Sequence, residues 1–84
     1  MISTDIRDVQ VEQSYSEAWG GRVDVYWRKN FSRKHKYRTL LSVIDELTAI
    51  DQRDWNMRHT DSVNKTTLYF RDATDAVSFS FYVS

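Results

Sequence analysis

The sequence contains no cysteine and no proline, and only two of its 84 residues are glycine. Without cysteine the chain has no disulfide, no thiolate zinc site and no cysteine nucleophile. No run of apolar residues is long enough for a transmembrane helix or for the core of a signal peptide. These absences fit a reducing compartment, and we expect a cytoplasmic protein without membrane contact.

An excess of charge of one sign is also missing, because 12 Lys and Arg residues balance 12 Asp and Glu residues. The balance does not hold along the chain. Residues 1–21 carry a net charge of −3, residues 22–38 one of +6, residues 39–57 one of −3, and residues 58–84 none. One basic block therefore lies between two acidic ones, and such a block predicts an anionic partner.

Aromatic residues are plentiful, with three Trp, five Tyr and four Phe. They bury a large area per residue, which is how a short chain without disulfides builds a sufficient core. A chain of this length allows one domain. We expect that domain to span residues 1–84, with a mobile start over residues 1–8.

Two segments in the first third of the chain predict a β-hairpin. Residues 9–19 and 22–29 alternate between the two faces expected of a half-buried strand. The two glycines, Gly20 and Gly21, stand between these segments. Because glycine adopts the positive φ values of a tight turn at low cost, we predict that the hairpin turns at this pair.

The middle of the chain predicts one amphipathic helix, from about residue 33 to about residue 51. Ser32 is its predicted N-cap, because a serine hydroxyl accepts a free backbone N–H. The apolar residues that follow have the i, i+3, i+4, i+7 spacing of one helical face: Tyr37, Leu40, Leu41, Ile44 and Leu47. The first turn is basic, and with its free N–H groups it favours a bound phosphate.

The second half of the chain predicts two more strands, residues 53–59 and 65–71, joined by the turn residues 60–64. Residues 73–79 predict a short helix followed by an extended tail, although a period of two over residues 77–83 would make a strand instead. With the helix, the element order is β-β-α-β-β-α. We therefore predict an α+β fold, a small antiparallel sheet with helices on one face.

The strongest local feature is the segment 27–38, which combines six Lys or Arg residues with three aromatic rings. Phosphates need cations and unstacked bases need flat rings, so this interleaving is typical of a site for RNA or another single strand. The alternative is a solvated loop and helix start, with two of the rings in the core. We predict phosphate contacts from Arg28, Lys29, Arg33, Lys34, Lys36 and Arg38, and stacking or groove-shaping by Trp27, Phe31 and Tyr37.

A second hypothesis is a protein-interaction module that docks on an acidic host protein through the same segment or through a sheet edge. Tyr26, Tyr69 and Tyr82 are predicted on faces opposite the most apolar positions, where they would stack bases or anchor an interface. An exposed strand edge would also allow a homodimer.

The sequence does not favour an enzyme. A ribonuclease would need His35 and His59 to converge on one phosphate, and two histidines in a chain of this size are a chance frequency. The carboxylates do not match the frame of a calcium loop, and the two glycines do not form a phosphate loop. We expect non-enzymatic binding without a cofactor or metal.

The C-terminal segment 68–79 has the pattern aromatic-x-Asp-x-x-Asp-Ala-x-x-Phe, carried by Phe70, Asp72, Asp75, Ala76 and Phe79. It resembles the ending of small accessory, host-takeover proteins of T-even-like tailed phages, in which a last strand leads into a short helix near an Asp-Ala pair. The resemblance covers 12 of the 84 residues. It implies a phage protein that binds a host component in the host cytoplasm, as RNA-binding inhibitors of toxin ribonucleases and other defence inhibitors do. It assigns no functional residue.

Overall fold

A computed structural model describes residues 5–13, 19–47 and 55–83. The α+β class is confirmed, and the order of the main elements agrees with the prediction. A short 3-10 turn, Asp61–Val63, joins the last two strands. The strands are β1 (Ile6–Gln13), β2 (Gly21–Trp27), β3 (Trp55–Thr60) and β4 (Lys65–Phe70), and the helices are α1 (Arg33–Glu46) and α2 (Ala73–Val83).

The four strands form one antiparallel sheet in the order β1-β2-β4-β3. The central pair, β2 and β4, aligns Val23 with Leu68 and Asp24 with Thr67. Because side chains alternate along a strand, this register separates an apolar face from a polar one. We call the face with Val23 and Leu68 the inner face and the face with Asp24 and Thr67 the outer face.

The core lies between the inner face and the two helices. The strands contribute residues that include Val23, Val25, Leu68 and Phe70, all fully buried. Leu40 and Ile44 of α1 and Ala76, Phe79 and Val83 of α2 complete the buried cluster.

Helix α1 begins as predicted, because the Ser32 hydroxyl accepts the backbone N–H of His35 at 3.2 Å. It ends at Glu46, earlier than predicted. The N–H of Leu47 bonds to the carbonyl of Ile44 at 3.0 Å, and this three-residue bond closes the last turn. Residues 48–54, which the predictions divided between the helix and the third strand, lie outside the described part.

Strand β1 and helix α2 also differ from the prediction. Strand β1 begins at Ile6 rather than at residue 9, because Ile6 is buried opposite Trp27. Helix α2 continues to Val83, so the predicted extended tail is wrong. Phe79 and Val83 are one turn apart and both are buried, whereas Phe81, which a strand would bury, is 75% exposed. The helical period therefore prevails over the period of two.

The predicted role of the two glycines is also wrong. Neither has a positive φ, and the register aligns Gln13 with Gly21, so the connection is longer than a two-residue turn. The glycines provide space instead. A Cβ on Gly21 would lie 2.5 Å from the Cβ of Ala76, so the absence of a side chain lets α2 approach β2 closely.

We expect Gly21→Ala to destabilise the fold by about 1–3 kcal/mol, the usual cost of overpacking. Ala76→Gly alone should cost about 1 kcal/mol through helix propensity. If the destabilisation by Gly21→Ala comes from the contact with the Ala76 side chain, the double variant should lose less free energy of unfolding than the sum of the losses in the two single variants. Urea unfolding of the four proteins measures this, and strict additivity would contradict the close approach.

Candidate nucleic-acid interface

The segment 27–38 does not form a single surface. Trp27 is only 3% exposed, and its Nε1–H donates to the Thr66 hydroxyl at 2.9 Å. Lys36 is 1% exposed and packs among the buried side chains of α1. We therefore correct the predicted contact set, because neither side chain offers a surface to a strand of nucleic acid.

Five cations of the segment are exposed, and four of them divide into two groups. Arg28 and Lys29 directly follow β2, at one end of the sheet. Lys34 and Arg38 are exposed on α1, whose opposite side is buried in the core, so they point away from the sheet. None of the four has an ion pair within the described part of the chain. We call Lys34 and Arg38 the helix ridge.

Arg33, which is the fifth exposed cation and also a predicted phosphate ligand, has a protein partner. Its guanidinium donates to the Asp61 carboxylate at 2.7 Å. This hydrogen bond lowers the pKa of Asp61 below its ordinary value, and the charges of Arg33 and Lys36 act in the same direction. Both members of the pair are exposed, so the contact adds little to stability.

The start of α1 is also occupied by protein groups. Ser32 caps it, and the Nε2 atom of His35 lies 2.9 Å from the Asp5 carboxylate. Phe31 is half-buried, with ring centroids 4.6 Å from His35 and 6.1 Å from Trp27. Phe31 therefore links the loop to the core rather than offering a free face to a base.

Asn64 determines the position of the loop that carries Arg28 and Lys29. Its side-chain amide donates to the carbonyls of Trp27 at 3.2 Å and of Lys29 at 2.9 Å. The backbone carbonyl of Asn64 accepts the backbone N–H of Trp27 at 3.1 Å. Asn64 adopts a left-handed conformation, with φ 52°, which asparagine tolerates better than most residues. The sequence indicated a turn here but not this contact.

The outer face has an aromatic ring between cations. The half-buried Tyr26 has the Arg7 guanidinium 5.7 Å from its ring centroid and the Lys65 ammonium 6.0 Å from it. Arg28 lies two residues further along the chain, and its N–H bonds to the Asp5 carbonyl, so pairing with the preceding chain continues past β2. We call the set Arg7, Tyr26, Arg28, Lys29 and Lys65 the basic corner.

The other end of the outer face carries a second aromatic cluster. Trp19 and Tyr69 have ring centroids 6.0 Å apart, and the Arg71 guanidinium lies 5.5 Å from the Trp19 ring. Of the predicted tyrosine row, Tyr26 and Tyr69 lie on the sheet. Tyr82 lies on α2 instead and does not extend the row.

A charged network separates the two ends. Asp24 is buried and accepts the Thr67 hydroxyl at 2.8 Å. Arg22 lies 3.6 Å from Asp24 and 3.1 Å from Glu12. These acidic partners offset the charge of Arg22 in the middle of the face, where the exposed Arg58 aligns with Thr67.

A groove opens between α1 and β3. Tyr37, Trp55, Asn56, Met57 and His59 line it, and its volume is about 280 Å³. Tyr37, the third predicted ring, is 41% exposed there. It is the only ring of the predicted set with a largely open surface. We call this feature the α1–β3 groove.

His59 lies at the inner end of that groove. Its Nδ1 atom is 2.9 Å from the Thr66 hydroxyl. Burial lowers the pKa of His59 below its ordinary value of 6.5, and the charges of Lys36 and Arg33 lower it further, while Asp61 opposes them. His59 therefore belongs to the groove, whereas His35 pairs with Asp5, so the two histidines have different partners.

The described residues contain no cluster of three or more His, Asp or Glu side chains that would hold a metal ion. No helix among them is long and apolar enough to cross a membrane. Comparison of the chain with protein-family models, curated proteins and solved structures finds no match. The functional argument therefore rests on the geometry above.

We expect Asn64→Ala to destabilise the protein more than Asn64→Gly. Both variants lose the amide hydrogen bonds, but only alanine adds the left-handed backbone cost of about 1–2 kcal/mol. Urea unfolding measures the difference. Equal losses for the two variants would show that the positive φ carries no cost here.

We expect His59 to make the protein less stable in mild acid. Because the folded pKa is lowered, the unfolded chain binds the proton more readily, so stability is complete above about pH 6.5 and falls as the pH decreases toward the folded pKa. His59→Asn offers the Thr66 hydroxyl an acceptor without titrating. Urea unfolding from about pH 7.5 to about pH 5.5 should give a smaller loss for the variant than for the wild type. Equal losses would exclude this residue as the cause.

Proposed function

We propose that the protein is a non-enzymatic module that binds RNA or another single-stranded nucleic acid, and that it does so through the basic corner. The observation that carries the proposal is the Tyr26 ring between Arg7 and Lys65, next to Arg28. It combines, at one place on the outer face, a ring and cations of the kind predicted for the continuous segment 27–38.

The charge of the basic corner supports an anionic partner. It contains four cations, and the acidic side chain aligned with Tyr26 is Asp8, whose carboxylate accepts the N–H of Val9 at 2.9 Å. Asp5, beside Arg28, is occupied by His35. The cations therefore outnumber the carboxylates, and the excess attracts a phosphate backbone and releases its counterions.

The ring favours a single strand over a duplex. A half-buried tyrosine on a sheet presents a face only to a base that is already unstacked. Arg7 and Lys65 lie over that ring and have flexible stems, so they turn to the neighbouring phosphates when a base replaces them. The mechanism is occupancy of the strand, and no bond is broken.

The test compares two double variants with the same change of charge. Arg28→Gln with Lys29→Gln alters the basic corner, and Lys34→Gln with Arg38→Gln alters the helix ridge. Fluorescence anisotropy with a single-stranded RNA of about 12 nucleotides measures the affinity. With four phosphate contacts, raising salt from about 50 to about 200 mM weakens binding about 50-fold, and with two contacts about sevenfold.

We therefore expect the corner variant to bind weakly with the flatter salt response, and the ridge variant to resemble the wild type. The reverse order would place the site on α1, and equal binding by all three proteins would overturn the proposal. A second pair isolates the ring: Tyr26→Leu should weaken binding about tenfold, and Tyr26→Phe should not.

Pull-down from lysate with and without nuclease separates this function from protein docking. Loss of the captured material after nuclease treatment is expected if the partner is RNA. A complex that persists after nuclease, with no RNA affinity in the anisotropy assay, would favour the protein-interaction module instead.

A further inference from the structure

The two edges of the sheet are protected to different degrees. The order β1-β2-β4-β3 leaves one side of β1 and one side of β3 without a strand partner in the described part of the chain. Strand β1 has a register irregularity between Ile6 and Asp8, and two carboxylates, Asp8 and Glu12, on its outer face. Bulges and charges of this kind discourage pairing with another chain. Strand β3 keeps an unbroken register with β4, and its only Lys, Arg, Asp or Glu residue is Arg58.

The hydrogen bonds of β3 show which of its residues point away from β4. The N–H of Met57 bonds to the Oδ1 atom of Asn56 at 2.9 Å, so it lies on the open side of the strand. Residues of an antiparallel pair alternate between those that bond to the neighbouring strand and those that do not. Trp55 and His59 therefore also direct their backbone groups to the open edge. The side-chain contact of His59 with the aligned Thr66 agrees, because side chains lie closer in pairs without backbone bonds.

A second copy of β3 fits this edge in an antiparallel register that is centred on Met57. Met57 then faces Met57 of the second copy, and Trp55 of each copy faces His59 of the other. All three residues point to the open edge, so each aligned pair exchanges two backbone hydrogen bonds. A register displaced by one residue would instead place inner-face side chains beside outer-face ones.

The outer face of β3 is complementary to itself in this register. Asn56 and Arg58 are both exposed, and each lies opposite the other residue of the second copy. The amide oxygen of Asn56 accepts from a guanidinium, and the pair occurs twice by symmetry. A register centred on Arg58 would oppose two like charges, and one centred on Asn56 would lose the pairs that contain His59. The register centred on Met57 is therefore favoured by both the charges and the hydrogen bonds.

The same register covers apolar surface on the inner face. Trp55, Met57 and His59 are half-buried and line one side of the α1–β3 groove. In the pair, the two Met57 side chains meet at the symmetry axis, and the indole of Trp55 lies beside the imidazole of His59 of the second copy. Cross-strand pairs between aromatic and apolar side chains stabilise a sheet, so the groove lining contributes to the contact.

We propose that the protein forms a homodimer through β3, in which two four-stranded sheets join into one continuous antiparallel sheet. The interface is isologous, because both copies contribute the same strand. The basic corner contains no residue of β3, so it stays open in both copies. The dimer does not depend on the proposed RNA function.

Single-cysteine variants test the register, since the chain has no cysteine of its own. Asn56 and Arg58 of the second copy form an aligned pair without backbone bonds, with Cα atoms about 4.5 Å apart, which suits a disulfide. Asn56→Cys mixed with Arg58→Cys should therefore give a linked dimer on a non-reducing gel after mild oxidation. Either variant alone should link poorly, because its two cysteines are diagonal neighbours about 7–8 Å apart. Gln10→Cys, on the exposed outer face of β1, mixed with Arg58→Cys is the control, and linking no faster than in this control would overturn the proposal.

Charge variants test the same pair without a covalent link, with analytical ultracentrifugation as the measurement of the dissociation constant. Asn56→Asp places a carboxylate opposite Arg58 and should tighten the dimer about tenfold, whereas Asn56→Lys should weaken it by a similar factor. Adding Arg58→Asp to Asn56→Lys restores opposite charges and should restore the dimer. Both positions are exposed, and urea unfolding checks that each variant folds.

Gln10→Lys on β1 is the matched control and should leave the dissociation constant unchanged, as should the corner variants. Three results would overturn the proposal. The first is a wild type that stays monomeric at every concentration up to about 1 mM. The second is a dimer whose affinity Asn56→Lys does not change, and the third is an equal effect of aspartate and lysine at position 56.

Discussion

The antiparallel pairing of β2 with β4 is the constraint on which the rest of the structure depends. It joins residues 39 to 49 positions apart and aligns Val23 with Leu68 and Tyr26 with Lys65 in one register. A shift by one residue would exchange the two faces, which would expose the apolar side chains and bury the charged ones. The core, the basic corner and the outer network therefore all follow from this one alignment.

Thr66 shows how closely the core and the α1–β3 groove are connected. Its buried hydroxyl forms one hydrogen bond with Trp27 and one with His59. A buried polar atom is costly unless it is hydrogen-bonded, so these two bonds stabilise the position of the strand and of the imidazole together. The orientation of a groove residue is thus set by a ring in the core.

Asn64 has the corresponding role for the basic corner. The short connection between β3 and β4 brings it to the end of β2, where it satisfies backbone groups on both sides of Arg28. The corner is consequently built from three separate parts of the chain, which are β1, the end of β2 and the start of β4. A neutral total charge is compatible with such a surface, because carboxylates such as Glu12, Asp24 and Asp61 lie near cations outside the corner.

Sequence patterns were sufficient for the element order and the α+β class, and for the Ser32 cap, since these depend on local periodicity and on single backbone groups. They also identified the basic block, and Tyr26 as a ring opposite the apolar positions. They placed Trp27 and Lys36 in a contact surface, although both are buried, because closeness in sequence does not determine which side of an element faces the core.

The sequence by itself determined the alternation, the Ser32 cap and the absence of disulfides. Only the tertiary structure decided the role of the glycines, the length of α2, the partners of Arg7 and Lys65, and the hydrogen-bond partner of His59. The physical reason is the same in each case: these features depend on contacts between distant segments, and a linear pattern does not contain the register that brings those segments together.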